Sequence, residues 1–125
     1  MALEADPIDR KHLDQLGARF GAPFVAQLID VFIAEGRERV AVAAQAAAAG
    51  DTKGVAAAAH ALKSSAGNLG ARALGARAAT LERVAGAGDT SLGKLVDALG
   101  VEFTEACGAL QAARAEIARS DRERR

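Results

Sequence analysis

One short phrase occurs twice, as Gly50-Asp51-Thr52 and as Gly88-Asp89-Thr90, each between long stretches of helix-forming residues. Glycine takes the left-handed conformation that ends one helix, and Asp or Thr can cap the next. Connections this short force the flanking helices to run antiparallel. Softer breaks stand at Asn68-Leu69-Gly70 and at Gly21-Ala22-Pro23, where proline suits a first helical turn. The chain therefore reads as a few long helices folded back on one another.

Composition agrees. Of 125 residues, 33 are alanine, and only 28 are Leu, Ile, Val or Phe. Two prolines and the absence of Tyr and Trp argue against a β-sandwich and for an all-α fold. The length suits one domain, residues 1–125, able to bury roughly two-thirds of its unfolded surface without disulfide staples. The breaks predict a short helix over Ile8 to Leu16, opened by Asp6-Pro7. Longer ones follow over about 23–49, 51–69, 71–85 and 89–119, and 120–125 is expected as a frayed tail. Three-to-four spacing proposes core stripes: Phe24, Leu28, Val31 or Phe32, and Glu35 on the second helix; Leu74, Ala78, Leu81 and Ala85 on the fourth. On the fifth the stripe is Leu92, Val96, Leu99, Phe103, Cys107 or Ala106, Leu110 and Ile117.

Charge and motifs exclude more. Sixteen basic residues balance sixteen acidic ones, so no overall field draws the protein to nucleic acid or an anionic membrane. The lone Cys107 excludes a disulfide framework or thiolate metal cluster, and it reads as a small buried apolar residue. No Glu-x-x-His pair, no Walker lysine loop and no kinase glycine loop is present. No apolar run approaches the ~20 residues that span a bilayer. Met1-Ala2-Leu3-Glu4 lacks a signal-peptide pattern, so a cytoplasmic protein is expected. His12, among Arg10, Lys11 and Asp14, reads as solvated.

Chemistry concentrates on the third helix. At 100° per residue, Lys53, Ala56, Ala57, Lys63, Ser64 and Gly67 lie on the same side as His60. Val55, Ala58, Leu62, Ala66 and Leu69 lie on the other, the side that must be buried. A lone helical histidine is ordinarily a surface residue or a satisfied core residue. Here its flank is pared to small side chains, including a helix-weakening Gly67 that an idle solvent face does not require. Such a flank leaves an imidazole nitrogen open to something large. Lys63, one turn on, suits an anion on the ring and would repel a metal.

His60-Ala61-Leu62-Lys63-Ser64-Ser65-Ala66-Gly67-Asn68-Leu69-Gly70-Ala71 resembles the signature of histidine-containing phosphotransfer (HPt) domains, with Ser64 where many members have glycine. Pro7-Ile8-Asp9, the Phe24-to-Phe32 helix and the Ala-Gly-Asp before the histidine helix fit the same layout. The resemblance implies an antiparallel up-down-up-down four-helix bundle with a short extra N-terminal helix. It implies that His60 takes a phosphoryl group on Nε2 from a receiver-domain aspartate and passes it to another, with Lys63 favouring the phosphate oxygens. A Glu or Gln 22 positions after the histidine orients the ring in this family, and that position is Glu82; without the resemblance Glu82 reads as a solvated helix residue. The implied partners are response-regulator receiver domains and a hybrid sensor histidine kinase. They would dock across Lys53, Ala56, Ala57, Ser64, Gly67 and Asn68 together with Ile8, Leu13 or Leu16 and residues near Phe24 to Leu28. No cofactor is implied, since Mg²⁺ would belong to the receiver. A monomeric phosphocarrier without independent catalysis is expected.

Two other functions compete. A non-catalytic helical adaptor of the same fold would bind the same partners, but the retained His60 and Lys63 count against it. A small hydrolase with His60 as base lacks a nucleophile with an ordered third partner.

Overall fold

The computed structural model describes residues 7–124. Met1 to Glu4, the helix-opening Asp6 and the terminal Arg125 lie outside the described residues. Among the described residues five helices make up the fold: α1 (Arg10–Phe20), α2 (Ala22–Ala48), α3 (Thr52–Leu69), α4 (Arg72–Gly86) and α5 (Gly93–Glu123). Helices α2 to α5 form the antiparallel bundle, α2 packing on α3, α3 on α4, α4 on α5 and α5 back on α2. Helix α1 lies against α2 and α5 at one end.

The two Gly-Asp-Thr phrases fold differently. At the first, Asp51 N–H bonds the carbonyl of Ala46, and the Asp51 carboxylate accepts from Gly54 N–H at 2.9 Å, so α3 starts at once. At the second, the Asp89 carboxylate accepts from Ser91 N–H at 2.8 Å, a local turn that competes with helix. Leu92 is then drawn into the core at 1% exposure, and α5 begins at Gly93 rather than near Asp89. Between α3 and α4, Gly70 takes φ +73°, and its carbonyl accepts from Asp9 N–H at 2.7 Å. That bond fastens the N-terminal segment to the turn beyond α3.

Three boundaries shift for physical reasons. Asp9 rather than Asp6 caps α1, its carboxylate accepting from His12 N–H, and the helix continues through Gly17 to Phe20. Gly17 is tolerated because it lets Ile117 of α5 pack close, 3.2 Å from where a Cβ would stand. The segment after Arg119 is not a frayed tail: α5 continues as helix to Glu123. Its late turns are braced by Ile117, buried in the core, and by ion pairs from Arg10 to Glu116 and from Arg114 to Asp30.

The core follows the expected stripes on α3, α4 and α5, with Ala106 inward and Cys107 only half-buried. On α2 it takes Phe32, one of the two alternatives in the expected stripe, and otherwise lies one residue further on. Val25, Ile29, Phe32, Gly36 and Ala43 are buried, whereas Phe24 and Val31 are exposed and Glu35 faces solvent. Phe32 and Phe103 meet with ring centroids 5.8 Å apart, and Gly36 makes room for that pair. The α2–α5 seam is thus held by aromatic volume. Across α3 and α4, by contrast, alanines 58, 59, 66, 78 and 85 share the core with leucines, which lets these helices approach closely.

Candidate active site

The sequence of α3 places Val55, Ala58, Ala59, Leu62, Ala66 and Leu69 inward, so the intervening residues face out. His60 is among them, its side chain 61% exposed. From α4, Glu82 stands beside Leu81 and Ala85, which are buried, and its carboxylate leans across to α3 at 29% exposure. His60 Nδ1 lies 2.8 Å from Glu82 Oε2. A carboxylate only accepts, so in the neutral ring the proton sits on Nδ1 and the Nε2 lone pair is free. Lys63 Nζ lies 2.8 Å from the other carboxylate oxygen, Oε1. The Lys63 ammonium first, and the His60 N–H after it, hold the Glu82 carboxyl below the usual carboxylate range.

Two residues of α3 therefore converge on one carboxylate from α4, and the ring that carboxylate orients offers a nucleophilic nitrogen to solvent. Its flank is bare. Ala57, Ser64, Gly67 and Asn68 are exposed, and nothing stands within 4 Å of where a Cβ on Gly67 would be. Lys53 is also exposed, seven residues and about 10 Å before His60 along the helix axis. Ala56 is half-buried against the core.

The described surface differs from the implied docking set at two points: Leu13 is fully buried in the core, on the inward side of α1, and Ile8 is covered as well. Ile8 is buried at 9% exposure, because the Asp9–Gly70 bond draws it under the end of the bundle, so its side chain is not available to a partner. Leu16 is half-buried. Two residues outside the expected set are exposed apolar side chains. Phe20, 53% exposed, packs its ring 4.9 Å from Phe24, and Val31 is likewise 53% exposed. The signal for Val31 was the spacing Phe24, Leu28, Val31, which reads equally well as a core stripe or as an exposed one; no such spacing marks Phe20, at the end of α1. His12 is not simply solvated: it is half-buried, and its Nε2–H donates to the carbonyl of Asn68 at 2.8 Å. Nothing in the sequence of α1 signals that bond, since its acceptor is a backbone atom 56 residues away.

The sequence profile of the Hpt domain matches residues 27–120, a span that holds His60, Lys63 and Glu82. The chain belongs to the Hpt domain family. The fold of histidine-containing phosphotransfer protein B from Pseudomonas aeruginosa PAO1 superposes on this Hpt protein with a TM-score of 0.81. That match has 24% sequence identity and covers 90% of this chain and 98% of the other. Among curated proteins none matches by sequence. Hpt domains are phosphocarriers of two-component phosphorelays, working with receiver domains and kinases. Among the described residues no helix is long and apolar enough to cross a membrane, and no cluster of three or more His, Cys, Asp or Glu could hold a metal ion.

Proposed function

We propose that this Hpt protein accepts a phosphoryl group on His60 Nε2 from the aspartyl phosphate of one receiver domain and delivers it to the aspartate of another. The observation that carries this reading is the His60–Glu82 bond, which leaves an exposed Nε2 lone pair on a ring whose other nitrogen is held. In the forward step the lone pair attacks phosphorus, the Nε2–P bond forms, and the P–O bond to the aspartate breaks to release its carboxylate. The ring keeps its Nδ1 proton and becomes positively charged beside the Glu82 carboxylate, which stabilises it. Lys63 offers an ammonium to the phosphoryl oxygens as they approach. Transfer to the second receiver is the same step reversed.

The chain supplies no metal or nucleotide chemistry in this reading. Mg²⁺ at the receiver aspartate would come with the receiver, and ATP would be bound by a hybrid sensor histidine kinase. Receivers dock across α1, α2 and α3, on Leu16, Phe20, Phe24, Leu28 and Val31 beside the small residues Ala57, Ser64 and Gly67. The protein acts as a cytoplasmic monomer.

The test is to mix the protein with a receiver carrying labelled phosphate and to follow acid-labile label on each chain. Wild type is expected to take up label and His60→Gln to take up none, with helicity and Tm nearly unchanged because the ring lies outside the core. Label on the mutant would move the phosphoacceptor elsewhere. A wild type that binds receivers without ever acquiring label would favour the adaptor.

A further inference from the structure

Lys63 lies within reach of the phosphoryl group in the proposed reaction, yet its nitrogen is already engaged. In the resting protein it is 2.8 Å from Glu82 Oε1, while Oε2 of the same carboxylate receives His60 Nδ1–H at 2.8 Å. A glutamate at a half-exposed position has several rotamers to choose from. One contact to an exposed imidazole is a weak constraint on it. Two contacts on opposite oxygens, from residues one turn apart on the facing helix, leave essentially a single arrangement. The spacing does this: His60 and Lys63 are neighbours on one face of α3, and Glu82 reaches both from α4.

The consequence concerns which ring nitrogen is free. A histidine side chain left to itself in water prefers its proton on Nε2, the nitrogen that must attack phosphorus. Only an acceptor held at Nδ1 reverses that preference. We infer that Lys63 is a positioning residue for His60 before any phosphate arrives: by holding Glu82 Oε1 it keeps Oε2 on Nδ1–H and so maintains the tautomer with a free Nε2 lone pair. This rests on the phosphoacceptor reading for its significance and adds to it a second role for the same lysine. When a phosphoryl group reaches Nε2 the ammonium has a competing partner, and by then the Nδ1 proton cannot migrate to the occupied nitrogen.

The test is made on unphosphorylated protein with no receiver, so it does not depend on phosphotransfer. Nitrogen-15 NMR distinguishes a protonated from an unprotonated ring nitrogen. It is read at about pH 8.5, where an ordinary histidine (pKa ~6.5) is neutral. In wild type the Nδ1–H form of His60 is expected to dominate. Lys63→Met is expected to lower the ratio of Nδ1–H to Nε2–H by roughly two- to fivefold, the range for losing a half-exposed ion pair. In a Glu82→Ala background, Lys63→Met is expected to change the ratio no further, because the lysine has nothing left to hold. An unchanged or increased ratio in the single mutant overturns the inference. So does an equal fall in both backgrounds, which would mean that the ammonium acts on the ring directly. Loss of labelling chemistry at His60, by contrast, would sink the phosphoacceptor reading and leave the tautomer measurement intact.

Discussion

Gly36 and Gly67 both sit inside long helices, where each weakens the backbone relative to alanine, and their surroundings are opposite. A Cβ on Gly36 would stand 2.8 Å from Cζ of Phe103, in the dense α2–α5 seam where Phe32 and Phe103 meet. A Cβ on Gly67 would meet nothing within 4 Å. The first glycine exists for the inside of the protein and the second leaves space on its outside. One seam of the bundle supplies rigidity through volume, while the other side presents a nearly bare helix on which His60 stands up. The same residue type therefore reports a packing constraint in one place and room for a partner in the other.

The sharpest way to break this contrast is to fill the open side. Gly67→Glu or Ser64→Trp is expected to cut phosphotransfer from a receiver more than roughly tenfold, the loss that follows when a docked geometry is displaced by an ångström or so. Circular dichroism and Tm should stay close to wild type. Full transfer by these variants would put the docking surface on another face.

Val31→Asp probes the apolar border of that same side. Val31 is 53% exposed and packs no core, so the change is expected to weaken receiver binding by about 1–2 kcal/mol, as for a modest hot spot, with little effect on Tm. Isothermal titration at 50 and 500 mM salt should give similar affinities, since the chain has no net charge to screen. A steep salt dependence would shift the docking contacts to Lys53, Lys63 and nearby arginines.

Making one substitution at both glycines tests the comparison directly. Gly36→Ala is expected to destabilise the fold by about 1–2 kcal/mol, overpacking against the Phe103 ring outweighing the gain in helix propensity. Gly67→Ala is expected to stabilise it by up to ~1 kcal/mol. Urea denaturation of the two variants should show opposite shifts in midpoint. Shifts of the same sign would mean that the two sites are alike after all.

The smallest expected effect is on acid stability. Glu82 has its folded pKa depressed by Lys63 and His60, so the unfolded state binds its proton first as pH falls. Its contribution is present above the ordinary glutamate value of about 4.5 and is lost as pH drops through the lower folded value. Glu82→Gln should therefore lower stability slightly in the neutral range and flatten the fall below pH 4.5, so that the two proteins converge in acid. An identical acid limb in the two proteins would mean that the carboxylate is not held.

Much of this was legible in the residues. Apolar spacing marked the buried sides of α3, α4 and α5, because on those helices Leu and Val recur at one period with small or charged residues between them. On α2 two apolar stripes run side by side, Phe24-Leu28-Val31 and Val25-Ile29-Phe32. Helical periodicity has no means of choosing between stripes one residue, or 100°, apart. The choice fell to Phe103, whose ring needs the gap at Gly36, and a partner on another helix is invisible in the α2 sequence. Two identical Gly-Asp-Thr phrases likewise gave an immediate helix start at one and a delayed start at the other, because burial of Leu92 reset the second.

At the site, the sequence by itself determined that His60 and Lys63 share an exposed, small-sided face, since spacing of three on a helix requires it. It also matched Glu82 to the family position. Only the tertiary structure decided that one carboxylate serves both residues, that His12 reaches the Asn68 carbonyl, and that Ile8 is covered while Phe20 is not. Contacts within one helix follow from 3.6-residue geometry, whereas contacts between helices depend on how the bundle's large and small residues interlock.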